Sequence, residues 1–90
     1  MEVEWDPKKA ERNLSKHGVE FVDAVVMLDD ERAITLPDEH PSEERYLTFG
    51  MDAQGRVLAI SYALKGSTIR IISARKATSR ERAQYEDKRI

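Results

Sequence analysis

The spacing of apolar residues predicts two helices near the start of the chain. Asp6-Pro7 is a helix start, because an aspartate side chain accepts from free backbone N–H groups and proline fits the first helical position. The first helix should run from Pro7 to about His17, where Gly18 supplies the left-handed residue that ends it. We expect its inward stripe to comprise Ala10, Leu14 and His17, with Asn13 beside them. Residues 20–28 suit a second amphipathic helix better than a strand, with apolar positions Phe21, Val22, Ala24, Val25 and Leu28.

Beyond Glu31 the apolar period shifts towards two, which predicts strands. Four segments show it, namely residues 33–36, closed by Pro37-Asp38, then 45–51, 56–64 and 68–74. The third segment is apolar on both faces, so we expect it to be central and covered on both sides. Short turns between the later strands, at residues 52–55 and 65–67, predict an antiparallel meander.

A capping box, Thr78-Ser79-Arg80-Glu81, predicts a third helix from Ser79 to the end of the chain. The expected fold is therefore α+β, with two N-terminal helices, a four-stranded antiparallel sheet and a C-terminal helix, and one sheet face covered. At 90 residues the chain should form a single domain spanning residues 1–90.

Composition narrows the possible chemistry. The chain has no cysteine, which excludes a disulfide framework, a thiolate zinc site and a thiol nucleophile. No apolar run approaches a membrane span, and the start Met1-Glu2-Val3-Glu4 is unlike the basic leader of a signal peptide. We therefore expect a cytoplasmic protein.

The charge is divided unevenly along the chain. The 15 basic and 17 acidic side chains give −2 overall, which argues mildly against a nucleic-acid partner. Residues 1–64 carry −7, however, and residues 65–90 carry +5. Such asymmetry is a hint of nucleic-acid binding or of an acidic partner.

The strongest candidate for chemistry is residues 70–82, which hold one acidic side chain and five basic ones: Arg70, Arg75, Lys76, Arg80 and Arg82. Strand alternation predicts that Arg70, Ile72 and Ala74 point one way, opposite to Ile69, Ile71 and Ser73. A phosphate near the following helix start would meet the Arg70 and Arg75 guanidinium groups, the Lys76 ammonium and free backbone N–H groups. Arg80 opposes the helix dipole there. The alternative interpretation is a solvated basic face.

Other side chains have competing interpretations. His17 suits proton transfer, although a capping or core histidine is the simpler interpretation, and His40 is expected at the surface. The seven carboxylates of residues 29–44 allow a hard-cation site, but their spacing favours a solvated loop. Tyr46 and Tyr85 offer rings for base stacking or ordinary half-buried packing. The aromatic residues expected in the core are Trp5, Phe21, Phe49 and Tyr62.

Three separated motifs resemble BrnT-type toxins. They are Trp5-Asp6-Pro7-Lys8-Lys9-Ala10 with Asn13, Lys16-His17-Gly18-Val19, Phe21 and Ala24; then Glu44-Arg45-Tyr46-Leu47-Thr48-Phe49-Gly50; then residues 70–78 with Glu81-Arg82 and Tyr85-Glu86. The resemblance implies a RelE-like ribonuclease toxin of a bacterial type II toxin–antitoxin system. It further implies RNA cleavage without a metal or other cofactor, inhibition by a BrnA-like antitoxin, and operator DNA contact only through that antitoxin.

On that resemblance, cleavage needs a bound phosphate, a proton acceptor for the 2′-hydroxyl and a proton donor for the leaving oxygen. We assign phosphate binding and charge stabilisation to Arg70, Arg75, Lys76 and Arg80, with Arg45 as a second strand contributor. Glu44 and His17 are the weaker acid–base candidates. The expected RNA-binding set also includes Arg82 and Tyr85.

Two other functions fit the same basic segment. One is an inactive relative that acts as a corepressor with its antitoxin, and the other is a general RNA-binding module that leaves RNA intact. Because residues 1–64 are acidic, RNA contact should be confined to the C-terminal quarter and the adjoining strand ends. A helix of the antitoxin is expected to cover this basic cleft.

Overall fold

The computed structural model describes residues 2–89, which form three helices and one five-stranded sheet. The elements in chain order are β1 (Glu2–Glu4), α1 (Pro7–His17), α2 (Phe21–Met27), β2 (Ile34–Asp38), β3 (Glu44–Met51), β4 (Val57–Lys65), β5 (Thr68–Lys76) and α3 (Ser79–Arg89). The strand order across the sheet is β1-β5-β4-β3-β2. The expected α+β class is present, but the predicted four-stranded antiparallel sheet is wrong.

The additional strand is β1, which pairs in parallel with β5 and makes the sheet mixed. Its Val3 lies opposite Ile69, whereas Glu2 and Glu4 are exposed. Three residues, two of them glutamates, are too few to show an alternation of apolar and polar positions. This segment is a strand because it pairs with β5. At the other edge, β2 continues through Pro37 to Asp38, beyond the predicted end at Leu36. Proline is tolerated there because an edge strand does not need every N–H for the ladder.

Helix α1 has the predicted ends. The Asp6 carboxylate accepts from the Lys8 backbone N–H at 2.8 Å, and Gly18 has a left-handed φ of 70°. Asn13 is buried as expected and fixes the helix to the sheet: its Nδ2 donates to the Val19 and Ala74 carbonyls at 2.9 and 2.8 Å, and its Oδ1 accepts from the Ala74 N–H at 3.1 Å. Leu14 is 42% exposed, so its placement on the inward stripe was wrong.

Helices cover both faces of the sheet, not one. The α1–α2 face carries the larger cluster of buried side chains: Val19, Phe21, Ala24, Met27, Leu58, Ile60, Tyr62, Ile69, Ile71 and Ala74. The opposite, α3 face carries a smaller cluster formed by Phe49, Val57, Ala59 and Tyr85. Alternate residues of β4 enter the two clusters, which confirms that this strand is central and covered on both sides. Phe21, Phe49 and Tyr62 are buried as predicted, and Trp5 packs partly buried against the larger cluster.

A bulge in β5 changes which side chains share a face. Ser61 of β4 pairs with Ser73, but the next residue, Tyr62, pairs with Ile71, so Ile72 is an extra residue in β5. An extra residue shifts the alternation by one position. Arg70, opposite Ala63, and Arg75, opposite Ala59, consequently lie on the same α3 face. The expectation that Arg70 and Ala74 point the same way was wrong, because Ala74 lies in the cluster under α1 and α2.

Helix α3 begins at the predicted capping box. The Thr78 hydroxyl accepts from the Glu81 N–H at 3.2 Å, and the Glu81 carboxylate accepts from the Thr78 N–H at 2.9 Å. Further along, Tyr85 is 2% exposed and its hydroxyl donates to the Asp30 carboxylate. These contacts attach the helix to one end of the sheet, over Val57 and Ala59. The predicted helix extends to Ile90, which lies outside the described residues.

Candidate active site

The open part of the α3 face forms a shallow floor beyond the reach of α3. Its side chains are half-buried and include Leu47 of β3, Ser61 of β4, and Ile72 and Ser73 of β5. Arg45 and Arg70 stand at the far end of this floor, and Arg75 stands where α3 begins. The Arg70 and Arg75 positions lie opposite β4 residues four apart, which is about 13 Å along the strand. The two arginines therefore mark the two ends of the floor, and each guanidinium pairs with a different carboxylate, Glu43 for Arg70 and Glu81 for Arg75.

A carboxylate bridges the two arginines at the far end. Arg45 and Arg70 lie on either side of Ala63, a fully buried small residue of β4 that leaves room above it. The Glu43 side chain occupies this room. It accepts from Arg45 Nε at 2.7 Å and from Arg70 Nη2 at 3.0 and 2.9 Å, one distance for each carboxylate oxygen. The side chains of Arg45, Arg70 and Glu43 are 29%, 34% and 13% exposed.

This arginine–carboxylate cluster, Glu43 with Arg45 and Arg70, has a defined charge state. The hydrogen bond from Arg45 lowers the pKa of Glu43, partial burial opposes this, and the nearby positive charges of Arg70, Arg45 and His40 lower it further. Glu43 is thus ionised at neutral pH. Arg70 Nε is buried and has no hydrogen-bond partner within residues 2–89. A buried N–H without an acceptor is unfavourable. Arg70 therefore has one donor, Nε–H, that Glu43 does not engage.

The two acid–base candidates from the sequence lie apart from this cluster. Glu44 is exposed on the opposite face of β3, where its carboxylate accepts from the Tyr46 hydroxyl at 3.2 Å and raises the pKa of Tyr46. His17 is half-buried in the last turn of α1, and α1 packs against the other face of the sheet. The residue that sequence reasoning missed is Glu43. Strand alternation outward from Arg45 carried the signal, because Glu43 is two positions before it.

Arg75 has a partner of its own. Its guanidinium makes a bidentate pair with Glu81, with Nη1 and Nη2 at 2.7 and 3.1 Å from the two carboxylate oxygens. The hydrogen bond from Glu81 raises the pKa of Arg75, and the reciprocal bond lowers the pKa of Glu81. Since Glu81 also closes the capping box, this pair attaches the end of β5 to the start of α3.

The remaining cations of residues 70–82 are solvent-facing. Lys76, Arg80 and Arg82 are exposed, and their side chains make no hydrogen bond or ion pair with the described part of the chain. Lys76 and Arg82 line a cleft of about 270 Å³ together with Arg56. Tyr85, in contrast, is a core residue, so its predicted role in stacking on an RNA base is wrong: the buried ring presents no free face.

A cavity of about 620 Å³ adjoins the arginine–carboxylate cluster, between the β2–β3 loop and the start of β3. Glu43 and Arg45 line it, as do Tyr46 and His40. His40 is exposed in the loop, as expected for a surface residue. Within residues 2–89, no group of three His, Asp or Glu side chains is arranged to hold a metal ion. No helix in the same range is long and apolar enough to cross a membrane.

These features define a class of small α+β protein with an open, arginine-rich site on one sheet face, built around an ionised carboxylate. The family model that describes the BrnT ribonuclease toxin of type II toxin–antitoxin systems matches residues 5–81. The chain therefore belongs to the BrnT toxin family.

A solved structure agrees with the fold. The 1.1 Å crystal structure of the ribonuclease toxin BrnT from Brucella abortus is similar, with a TM-score of 0.66 over 88% of this chain and 99% of that one. The two sequences are 24% identical over this match. No curated protein matches the chain.

Proposed function

We propose that this protein is the toxin of a type II toxin–antitoxin pair and that it cleaves RNA in the cytoplasm without a metal, so inhibiting translation. The observation that carries the proposal is the ionised Glu43 held between Arg45 and Arg70 beside an open floor. The family supplies the ribonuclease class. The cluster supplies two of the requirements of metal-independent cleavage, namely a proton acceptor and fixed positive charge for the phosphate.

In the proposed reaction the RNA 2′-oxygen attacks the adjacent phosphorus. The O2′–P bond forms, the P–O5′ bond breaks and the leaving 5′-oxygen takes up a proton, which yields a 2′,3′-cyclic phosphate and a 5′-hydroxyl. Glu43 accepts the proton that leaves the 2′-hydroxyl, since it is ionised and directly beside the phosphate-binding arginines. Arg45 and Arg70 stabilise the extra negative charge on the phosphate through donors that Glu43 does not engage. Glu43 thereby takes the proton-accepting role first considered for Glu44 and His17.

The other basic residues extend the RNA contact. Arg80 and Arg82 on α3, with Lys76 at the end of β5, present unpaired charge to backbone phosphates. Arg75 contributes mainly by positioning α3 through Glu81, and any phosphate contact requires part of that pair to open. Binding should weaken steeply with salt, because these contacts displace counterions.

The experiment is cleavage of an RNA oligonucleotide by the purified protein in excess EDTA. Arg70→Ala and Arg45→Ala should each reduce the cleavage rate by about 10² to 10³, the usual cost of removing one group that stabilises developing charge. Arg12→Ala, on the exposed side of α1, is the matched control and should cleave normally. Both site variants should also restore growth to cells that express them. Arg75→Ala should do so as well, but its link to α3 requires a check by circular dichroism.

The same assay separates the alternatives. Wild-type protein that binds RNA in a salt-dependent way but leaves it intact would indicate an RNA-binding module or an inactive corepressor, and the ribonuclease proposal would fail. Full cleavage by folded Arg45→Ala and Arg70→Ala variants would reject the proposed site while leaving the enzyme class in place.

The proposed partner is a BrnA-like antitoxin that neutralises the toxin and carries it to operator DNA. The simplest mechanism of inhibition is that an antitoxin segment covers the floor from Arg70 to Arg80. RNA phosphates could then no longer reach the arginines. A complex structure that leaves this floor fully open would reject direct occlusion.

A further inference from the structure

The cavity beside the arginine–carboxylate cluster contains a second group that can transfer protons. His40, in the loop between β2 and β3, lines the same cavity as Glu43 and Arg45. Its charge also acts on Glu43, whose pKa is lowered first by the Arg45 hydrogen bond and in smaller part by His40. His17, the other histidine of the chain, does not line this cavity.

Ser42 holds the His40 ring by one nitrogen. The Ser42 backbone N–H lies 3.3 Å from His40 Nδ1, and the Ser42 hydroxyl lies 3.2 Å from the same atom. The N–H can donate only to an Nδ1 that carries no hydrogen, whereas the hydroxyl oxygen can accept from an Nδ1 that carries one. Ser42 therefore offers a partner for Nδ1 with or without its hydrogen. Nε2 makes no hydrogen bond with the described residues, so this nitrogen is available to a ligand in the cavity.

The cavity around His40 is lined mainly by charged side chains. The charged or titratable side chains that line the cavity with His40 are Asp38, Glu39, Glu43, Glu44, Arg45 and Tyr46. Four of these are carboxylates and one is a cation, so the side chains that surround His40 are mostly acidic. Histidine is also the side-chain type that changes charge between pH 5 and 8, which suits it to give up a proton under working conditions.

We propose that His40 is the general acid of the ribonuclease reaction, an inference that rests on the proposed function. As the P–O5′ bond breaks, the Nε2 proton of the imidazolium passes to the leaving 5′-oxygen. The ring that remains is neutral, and its Nδ1–H donates to the Ser42 hydroxyl oxygen. Glu43 holds the proton taken from the 2′-hydroxyl, and exchange with water returns both groups to their starting states. Protons therefore balance without any co-reactant.

The test compares two substrates. One is the RNA oligonucleotide that the wild-type protein cleaves, and the other carries sulfur in place of the bridging 5′-oxygen at the mapped scissile bond. A thiolate leaves without a proton, so a general acid is unnecessary for the second substrate. His40→Ala should lower kcat on normal RNA by about 10² to 10⁴ with little change in KM, the usual contribution of general acid–base catalysis. On the sulfur substrate it should cleave at close to the wild-type rate.

Two companion variants make the result specific. Glu43→Gln should be slow on both substrates, because removal of the 2′-hydroxyl proton is needed in either case. For the wild type, kcat on normal RNA should fall as pH rises. For His40→Ala, this fall in kcat should not occur. Arg12→Ala is the control for unrelated surface changes and should match the wild type throughout.

Each other outcome overturns the inference. Equal losses on both substrates in His40→Ala and His40→Gln, with a native circular dichroism spectrum, would show a structural or binding role. Normal cleavage of RNA by either His40 variant would exclude His40 as the acid. So would a loss of activity with rising pH that persists in His40→Ala and is absent in His17→Ala. If the wild-type protein cleaves neither substrate, the ribonuclease proposal itself is wrong. This result differs from those that reject only the role of His40.

Discussion

Asn13→Ala should destabilise the fold far more than its position on a short polar helix suggests. The side chain is 6% exposed and makes three hydrogen bonds to main-chain groups, two of them to Ala74 of β5. Ala74 and Val19 are fully buried. Truncation leaves two carbonyls and one N–H without their partner, and each such bond contributes about 1 kcal/mol net, more when the remaining group stays dry.

The expected loss is therefore about 3 kcal/mol of the free energy of unfolding, against a total of about 5–15 kcal/mol for a domain. For a chain of this length the melting temperature should fall by about 12–24 °C. Thermal unfolding followed by circular dichroism, together with urea titration, measures both quantities. Ser15→Ala, at an exposed position of the same helix, is the control and should change stability by less than about 0.5 kcal/mol. A loss below about 1 kcal/mol for Asn13→Ala would refute the view that this side chain joins α1 to the sheet.

Two further predictions concern other parts of the fold. Glu81 has its folded-state pKa lowered by the Arg75 hydrogen bond, so its contribution to stability is complete above the unfolded-state pKa and is lost as pH falls through the folded-state value. Urea midpoints measured between about pH 6 and pH 3 should therefore fall less steeply for Glu81→Gln than for the wild type, and identical slopes would contradict the prediction. A Cβ at Gly50 would lie 3.0 Å from the Met27 carbonyl oxygen and 3.2 Å from Met27 Cε. Gly50→Ala should therefore cost about 1–3 kcal/mol in urea unfolding, whereas a neutral result would mean that α2 moves aside freely.

Features set by neighbouring residues were predictable from the sequence. Helix α1 matches its predicted ends because Asp6, Pro7 and Gly18 determine those ends through contacts within one helical turn. The capping box of α3 was found for the same reason. The central position of β4 was visible because a strand with two apolar faces needs cover on both.

Features set by distant residues were not predictable in this way. Strand β1 exists because β5 offers it a free edge, and nothing in Glu2–Glu4 alone indicates a strand. The β5 bulge depends on pairing with β4, so simple alternation assigned the face of Ala74 wrongly. Exposure of Leu14 and burial of Tyr85 follow from how helices lie on the sheet, which the helix pattern does not determine.

Part of the candidate site could be predicted from the sequence. Arg70 was identified as part of the basic segment and Arg45 on the family resemblance, and the structure brings both to one carboxylate. Glu44 was considered in place of Glu43, although alternation from Arg45 favours Glu43. His40 is at the surface as expected, but the five-residue loop between β2 and β3 gives no pattern from which a shared cavity can be inferred.

The bulge at Ile72 also limits how the length of this chain can change. Because one unpaired residue sets the phase of β5, loss of a single residue between Arg70 and Arg75 would either erase the bulge or rotate one end of the strand by half a turn. In the second case, one of the two arginines would leave the α3 face of the sheet and point into the hydrophobic core under α1 and α2. A change of two residues would keep the phase and alter only the spacing. Over this segment the protein is therefore more sensitive to odd changes in length than to most changes in side chain.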